Sequence, residues 1–268
     1  MTTPLMQAVK DVVLSAGPLI RDAFLAPNRP AYTLKGQQDY LTETDLAVEQ
    51  FVRHKIAQRF PQDSVLGEEG GGRTDTERLW IVDPIDGTAN FARNIAHFCV
   101  SLGVMVNGAL EAGAIYDPMR DELFLAGRGQ GAWLNGRRLQ VSHISALPQS
   151  SAEIGWSSRK PLDGYLNLVS RTMQAGCAVR RAGSGALGLA YVSAGRIECY
   201  AEQHINAWDV AAGLLLVSEA GGRVNNFWAT DGLHHGNAVL ASNALLADRF
   251  SHLTGIAWGE SPAKPDSR

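Results

Sequence analysis

The sequence predicts a mixed α/β fold of α+β type, and three changes of rhythm along the chain carry that expectation. Apolar residues recur first at helical spacing, then in short β-type runs separated by turn signals, and finally in alternating strand and helix segments. Val9, Val12, Val13, Ala16, Leu19, Ile20 and Phe24, and then Leu46, Phe51, Val52 and Ile56, predict two amphipathic helices within residues 1–60. Between them YTLKGQQDYLTETD, residues 32–45, reads as an extended excursion, and Thr42 with Asp45 has the spacing of a helix-opening capping box. From 98 to 141 an antiparallel meander is expected, because Asn107-Gly108 and Asn135-Gly136 each suit a two-residue hairpin. After SHISALPQSS (142–151), helices are expected at Leu162 to Gln174, Ala186 to Ala194 and Trp208 to Ala220, the last ended by Gly221 and Gly222. The chain thus divides into an N-terminal α+β half, 1–145, and a C-terminal α/β half, 146–268, whose final ESPAKPDSR reads as a loose tail.

Composition narrows the partners. A chain of 268 residues with 45% hydrophobic content can bury a substantial core. Lys plus Arg 24 against Asp plus Glu 27 gives a formal charge of -3, so no basic field favours nucleic acid or anionic lipid. Lys10 and Asp11 interrupt the first apolar stretch, which argues against a signal peptide, and no later run is long enough to span a bilayer. A cytoplasmic protein is expected, without membrane or direct nucleic-acid partners. Cys99, Cys177 and Cys199 form no CxxC and read as buried thiols.

The chemistry concentrates in WIVDPIDGTANF, residues 80–91. Trp80, Ile81 and Val82 form a strand-type run, and Pro84 predicts that the chain leaves the sheet there, presenting Asp83 and Asp86 at the strand's carboxyl end. Gly87 permits close backbone approach, and Thr88 or Asn90 could open the next helix with free NH groups facing an anion. Further acids lie in LGEEGGG (Glu68, Glu69), in TETD (Asp45) and in AWDVAAG (Asp209). Each alone is ordinary, as a solvated loop or a helix cap. Gathered together, ionised carboxylates need a cation or protons, and an all-oxygen set without paired His or Cys suits Mg²⁺, with Mn²⁺ as a substitute.

LGEEGG, WIVDPIDGTANF and WDVAAG, in that order, resemble the inositol monophosphatase family of Mg²⁺-dependent, lithium-sensitive phosphatases, from the first helix to Gly222. The resemblance implies a layered αβαβα sandwich of the sugar-phosphatase type and usually a homodimer. It implies two or three Mg²⁺ ions: Glu68, Asp83 and the Ile85 carbonyl on a first, and Asp83, Asp86 and Asp209 on a second. Thr88, bonded to Asp45, would orient and deprotonate the attacking water beside Glu68, while the NH groups of Gly87 and Thr88 receive the phosphate. Gly183, Ser184, Gly185 and Glu202 fall where the family holds substrate hydroxyls, and Glu202 favours a polyol because a carboxylate accepts hydroxyl bonds.

The implied substrate is a small phosphate monoester, myo-inositol 1-phosphate foremost. Histidinol phosphate, fructose 1,6-bisphosphate or a 3'-phosphoadenosine nucleotide are the enzymatic alternatives, although no aromatic or basic platform for a base is evident in the sequence. A regulatory protein associated with RNA polymerase is the alternative of another class. Two departures from the family pattern stand out: Gly188, where bacterial members commonly have Asp and animal ones Asn, and the loop IGWSSRK, 154–160. Lys35 falls where the family often has a basic residue near the metals. His97 and His204 lack partners at ligand spacing and read as structural, and GRGQGA (127–132) reads as a hairpin rather than a nucleotide loop.

Overall fold

Two Asn-Gly pairs set the geometry of the meander. In the computed structural model, which describes residues 2–27, 31–36 and 39–259, Asn107 and Gly108 have φ of 50° and 76°, and Asn135 and Gly136 have 46° and 79°. Left-handed turns of this kind match the twist of the strands they join.

In chain order, α1 (Pro4–Leu25) leads to the hairpin β1 (Tyr32–Gly36) and β2 (Asp39–Thr42), then α2 (Glu43–Arg59). Next come β3 (Ser64–Gly67), β4 (Arg78–Asp86), the short α3 (Thr88–Ala92), and the meander β5 (Cys99–Val106), β6 (Ala109–Asp117), β7 (Glu122–Gly127), β8 (Gly131–Leu134) and β9 (Arg137–Arg138). The strands from β3 to β9 form one seven-stranded sheet in sequence order, antiparallel except for the β3/β4 pair. The rest of the chain supplies β10 (Ser151–Ile154), α4 (Leu162–Gln174), β11 (Ala178–Arg180), α5 (Gly185–Ser193), β12 (Cys199–Ile205), α6 (Ala207–Glu219), β13 (Arg223–Val224), α7 (Gly232–His235), β14 (Asn237–Ser242) and α8 (Ala247–Thr254). Its sheet has the order β11-β10-β12-β14-β13.

These elements stack as five layers: α1 and α2, the seven-stranded sheet, α5 and α6, the five-stranded sheet, then α4 and α8. The pleat of β4 shows why the large sheet is covered on both sides. Trp80 and Val82 face Val9, Val52 and Ile56, while Leu79 and Ile81 face the layer of Leu189, Val210 and Leu214, so an unbroken apolar run serves two cores. The helix α6 comes unusually close to the sheet because Gly103 and Gly113 lie opposite one another in β5 and β6. A Cβ on either would fall 2.9 Å from Ala211 Cβ or 2.8 Å from Ala212 Cα. That glycine pair fixes how far α6 carries Asp209 toward β4.

The three helices expected in the second half appear within one residue of their expected bounds, and Gly221 follows α6 with a φ of 85°. One expectation needs correction. The chain does not leave the sheet at Pro84: β4 continues to Asp86, pairing Asp83 with Ser101 and Asp86 with Cys99 across a register shift. A bulge tolerates proline because no ladder hydrogen is needed there. The helix α3 starts at Thr88, not Asn90. The tail 260–268 lies outside the described residues. No helix among them is long and apolar enough to cross a membrane.

Candidate active site

Parallel pairing of β3 and β4 sets Gly67 opposite Val82, so Glu68 and Asp83 emerge at the same end of neighbouring strands, with Glu68 N donating to Val82 O at 3.3 Å. The Asp83 side chain folds back to accept from Ile85 N at 3.0 Å. Asp209 joins from the first turn of α6, where it accepts from Asn206 N at 3.1 Å. Asp83, Asp86 and Asp209 each offer a carboxylate oxygen within 4.8 Å of the other two.

Asp86 meets the start of α5. Its carboxylate accepts from Ser184 Oγ, from Ala186 N at 2.7 Å and from Gly185 N at 3.3 Å, with Cys99 Sγ at 3.8 Å. The sequence expectation for Ser184 and Gly185 is therefore modified: their hydroxyl and amide hydrogens are engaged by Asp86. Gly87 has a φ of 97° and a Cβ there would lie 2.9 Å from His97 O, so only glycine fits between Asp86 and α3. Gly183, at φ 84°, approaches Asn90.

Thr88 Oγ1 lies 3.1 Å from Asp45 Oδ1 and 2.9 Å from the Ile85 carbonyl. One hydroxyl proton serves one acceptor at a time, so donation to Asp45 leaves the carbonyl free to bind elsewhere. Asp45 has two sets of partners. It caps α2, taking Thr42 N at 2.9 Å and the Thr42 hydroxyl, and it faces Thr88.

Burial dominates the electrostatics. It pushes the Asp45 carboxyl up to about 6 against the hydrogen bonds of Thr42 and Thr88. Glu68 rises to about 7, again from burial, with Lys35 opposing and Glu69 adding repulsion. Asp83 and Asp209 are driven well above the ordinary carboxylate range by burial and then by their acidic neighbours, and Asp86 is raised by burial although Ser184 and the α5 amides resist. Lys35 Nζ sits 3.0 Å from Glu68 Oε1 and 2.9 Å from Glu69 Oε1. Burial works against its charge, but those two carboxylates more than offset it, and its pKa is held above the usual lysine range. Glu49 and Arg53 brace the same turn: Glu49 accepts from Glu69 N at 2.8 Å and Gly70 N at 2.9 Å, and Arg53 donates to Val65 O at 2.9 Å.

The buried, mutually repelling trio of Asp83, Asp86 and Asp209, carboxylates alone, fits a hard divalent cation. A stability signature follows. Asp45 and Glu68 have folded values of about 6 and 7 against ordinary values of 3.8 and 4.5, so the metal-free folded state holds protons that the unfolded state has released. Their contribution is present below about pH 4 and is lost as pH rises through about 7. Differential scanning calorimetry of metal-free protein should show a Tm lower at about pH 8 than at about pH 5, and Mg²⁺ should raise the pH 8 value. A Mg²⁺ response absent at pH 8 would contradict this.

The acids open onto a cavity of about 950 Å³ whose wall includes Gly87, Thr88, Ser184, Glu202 and Asp209. Sequence reasoning missed Tyr200, Trp156, Tyr165, Arg159 and Arg181 in that wall, and the last four bring aromatic and basic groups to the cavity that were not evident in the sequence. Trp156 and Arg159 belong to the loop already marked as unusual, and Tyr200 shares a strand face with Glu202, so both signals were present. His204 also lines the cavity, its Nε2 2.9 Å from His235 O. His97 instead packs edge-on against Tyr191. GRGQGA forms the β7–β8 turn, its Gly129 and Gly131 amides bonded to Glu219. Cys99, Cys177 and Cys199 are free and buried.

A five-layer αβαβα sandwich with a carboxylate cluster where the end of β4 meets the starts of α5 and α6 defines a fold of the sugar-phosphatase type. The chain belongs to the inositol monophosphatase family, whose pattern matches residues 1–256. It is 39% identical over 228 residues to the Nus factor SuhB of Escherichia coli K12, covering 84% of this chain and 85% of that protein. Among solved structures, the extragenic suppressor protein suhB of Bartonella henselae superposes with a TM-score of 0.88 at 32% identity, covering 95% of this chain and 99% of that one. The inositol monophosphatase of Anabaena (Nostoc) sp. PCC 7120 gives 0.81 at 35% identity, covering 93% and 94%.

Proposed function

We propose that the chain hydrolyses a small phosphate monoester with Mg²⁺, most readily myo-inositol 1-phosphate to myo-inositol and phosphate, with Mn²⁺ able to substitute. The observation that carries this reading is the convergence of Asp83, Asp86 and Asp209 within 4.8 Å on a cavity large enough for a phosphorylated polyol.

Glu68, Asp83 and the Ile85 carbonyl would hold one ion, and Asp83, Asp86 and Asp209 a second, of two or three in all. Bound there, the ions would supply the positive charge that a monoester dianion needs before a nucleophile can approach. The protein's own groups do the rest. Thr88, passing its proton toward Asp45, would orient the attacking water and accept its proton, with Glu68 adjacent. The amides of Gly87 and Thr88 would receive the phosphate oxygens. Ser184 and Gly185 would hold Asp86 in place, and with Gly183 they would line the path of the leaving alcohol, one of whose hydroxyls would donate to the Glu202 carboxylate. In this reading the halves 1–145 and 146–268 each supply part of the site, and the protein is a cytoplasmic, lithium-sensitive homodimer.

The test is phosphate release from a panel of esters, compared by kcat/KM with and without Mg²⁺. Inositol 1-phosphate should lead the panel, and chelation should abolish turnover; turnover that survives exhaustive chelation would overturn the mechanism. The relative's designation as a Nus factor favours a second reading, a regulatory protein associated with RNA polymerase. That role predicts poor hydrolysis of every ester and recovery of polymerase-associated proteins in a pull-down. A filter-binding assay with RNA addresses the expected absence of direct nucleic-acid contact.

A further inference from the structure

Tyr200 and Glu202 lie on one face of β12, and three glycines make room for them. A Cβ at Gly188 would stand 2.4 Å from Tyr200 Cδ2, one at Gly185 would stand 2.9 Å from its hydroxyl, and one at Gly155 would stand 1.9 Å from Glu202 Oε2. None of these positions admits another residue without moving the pair. Gly188 is one of the two departures from the family pattern, and Gly155 lies within the other. Both departures meet at the same two side chains. Tyr200 is 2% exposed, and its hydroxyl donates to Glu202 Oε2 at 2.8 Å.

A tyrosine serving only as core filling would not need its hydroxyl, since phenylalanine fills the same volume. Here the hydroxyl bonds to a carboxylate in the cavity wall. Resting on the phosphatase reading, we propose that Tyr200, admitted by Gly188, is a specificity-positioning residue that fixes the Glu202 carboxylate to accept a hydroxyl of the leaving alcohol, selecting polyhydroxy alcohol phosphates. Anchoring Oε2 removes side-chain freedom before the substrate arrives and leaves Oε1, to which none of the described residues donates, as the acceptor for the substrate. A carboxylate only accepts hydrogen bonds, so the group it meets must be a donor. A leaving group without hydroxyls gains nothing from this arrangement.

The experiment compares kcat/KM for inositol 1-phosphate and for phenyl phosphate, which has no hydroxyl, in wild type, Tyr200→Phe, Glu202→Gln and the double variant. Tyr200→Phe should raise KM for inositol 1-phosphate by about tenfold while leaving kcat and phenyl phosphate hydrolysis nearly unchanged. In the Glu202→Gln background the same change should add little, because Tyr200 acts through Glu202. Gly188→Ala, which displaces the ring, should reproduce the selectivity loss. Equal losses on both esters, or effects that add fully in the double variant, would assign Tyr200 to packing alone and overturn the proposal. A wild-type protein that hydrolyses neither ester would instead remove the phosphatase reading itself.

Discussion

Asp86→Asn should lower kcat for a phosphate ester by roughly a hundredfold or more. Two physical losses combine at this one atom pair. The carboxylate contributes a formal negative charge to the trio with Asp83 and Asp209, and its amide counterpart supplies none. Asp86 also accepts from Ser184 Oγ, Gly185 N and Ala186 N. An asparagine has one acceptor oxygen and must turn its NH₂ toward some of those donors or toward the cavity. Either orientation disturbs the link between the end of β4 and the start of α5. Steady-state kinetics over a Mg²⁺ series, with circular dichroism to establish that the fold is retained, measure the effect. A folded variant with wild-type turnover would remove Asp86 from the metal set.

Thr88→Ala should separate chemistry from binding. Under the proposed roles the hydroxyl acts on the water and the backbone amide acts on the phosphate, and alanine removes only the first. Turnover should fall by roughly 10²- to 10⁴-fold while the Mg²⁺ midpoint and the ester KM change little. The mutation also leaves Asp45 Oδ1 without the Thr88 donor at 3.1 Å, so the buried Asp45 carboxyl should move further above its value of about 6. The acid limb of the pH profile should move up with it. If KM rises while kcat holds, Thr88 positions substrate and the water has another partner.

Much of this architecture is legible in the sequence because local rules settle it. Asn107-Gly108 and Asn135-Gly136 dictate left-handed two-residue turns, and the apolar spacing of residues 9–24 and 46–56 dictates helices that lie on one sheet face. The site is only half legible in the same way. Asp83 and Asp86 are three residues apart, so their proximity follows from local geometry. Asp209 reaches them only because Gly103 and Gly113 let α6 settle close to the sheet, a long-range packing event that no spacing encodes. Pro84 misled for a related reason: its effect on an isolated chain is to end a strand, whereas pairing with β5 carries the strand past it as a bulge. Ser184 and Gly185 read as ligands of the substrate, yet their donors point at Asp86, because residues 98 positions apart meet in the fold. Tyr200 stands two residues before Glu202, so their shared strand face is legible, whereas the bond from its hydroxyl to the Glu202 carboxylate is visible only in three dimensions.

The most direct measurement is anomalous diffraction from crystals grown with Mn²⁺, together with phosphate release by the same preparation in solution. The account predicts Mn²⁺ peaks between Asp83, Asp86 and Asp209 and beside Glu68, at roughly 3.5–4 Å from one another, in protein that turns over. Active protein whose crystals show no anomalous density among these four side chains would contradict it.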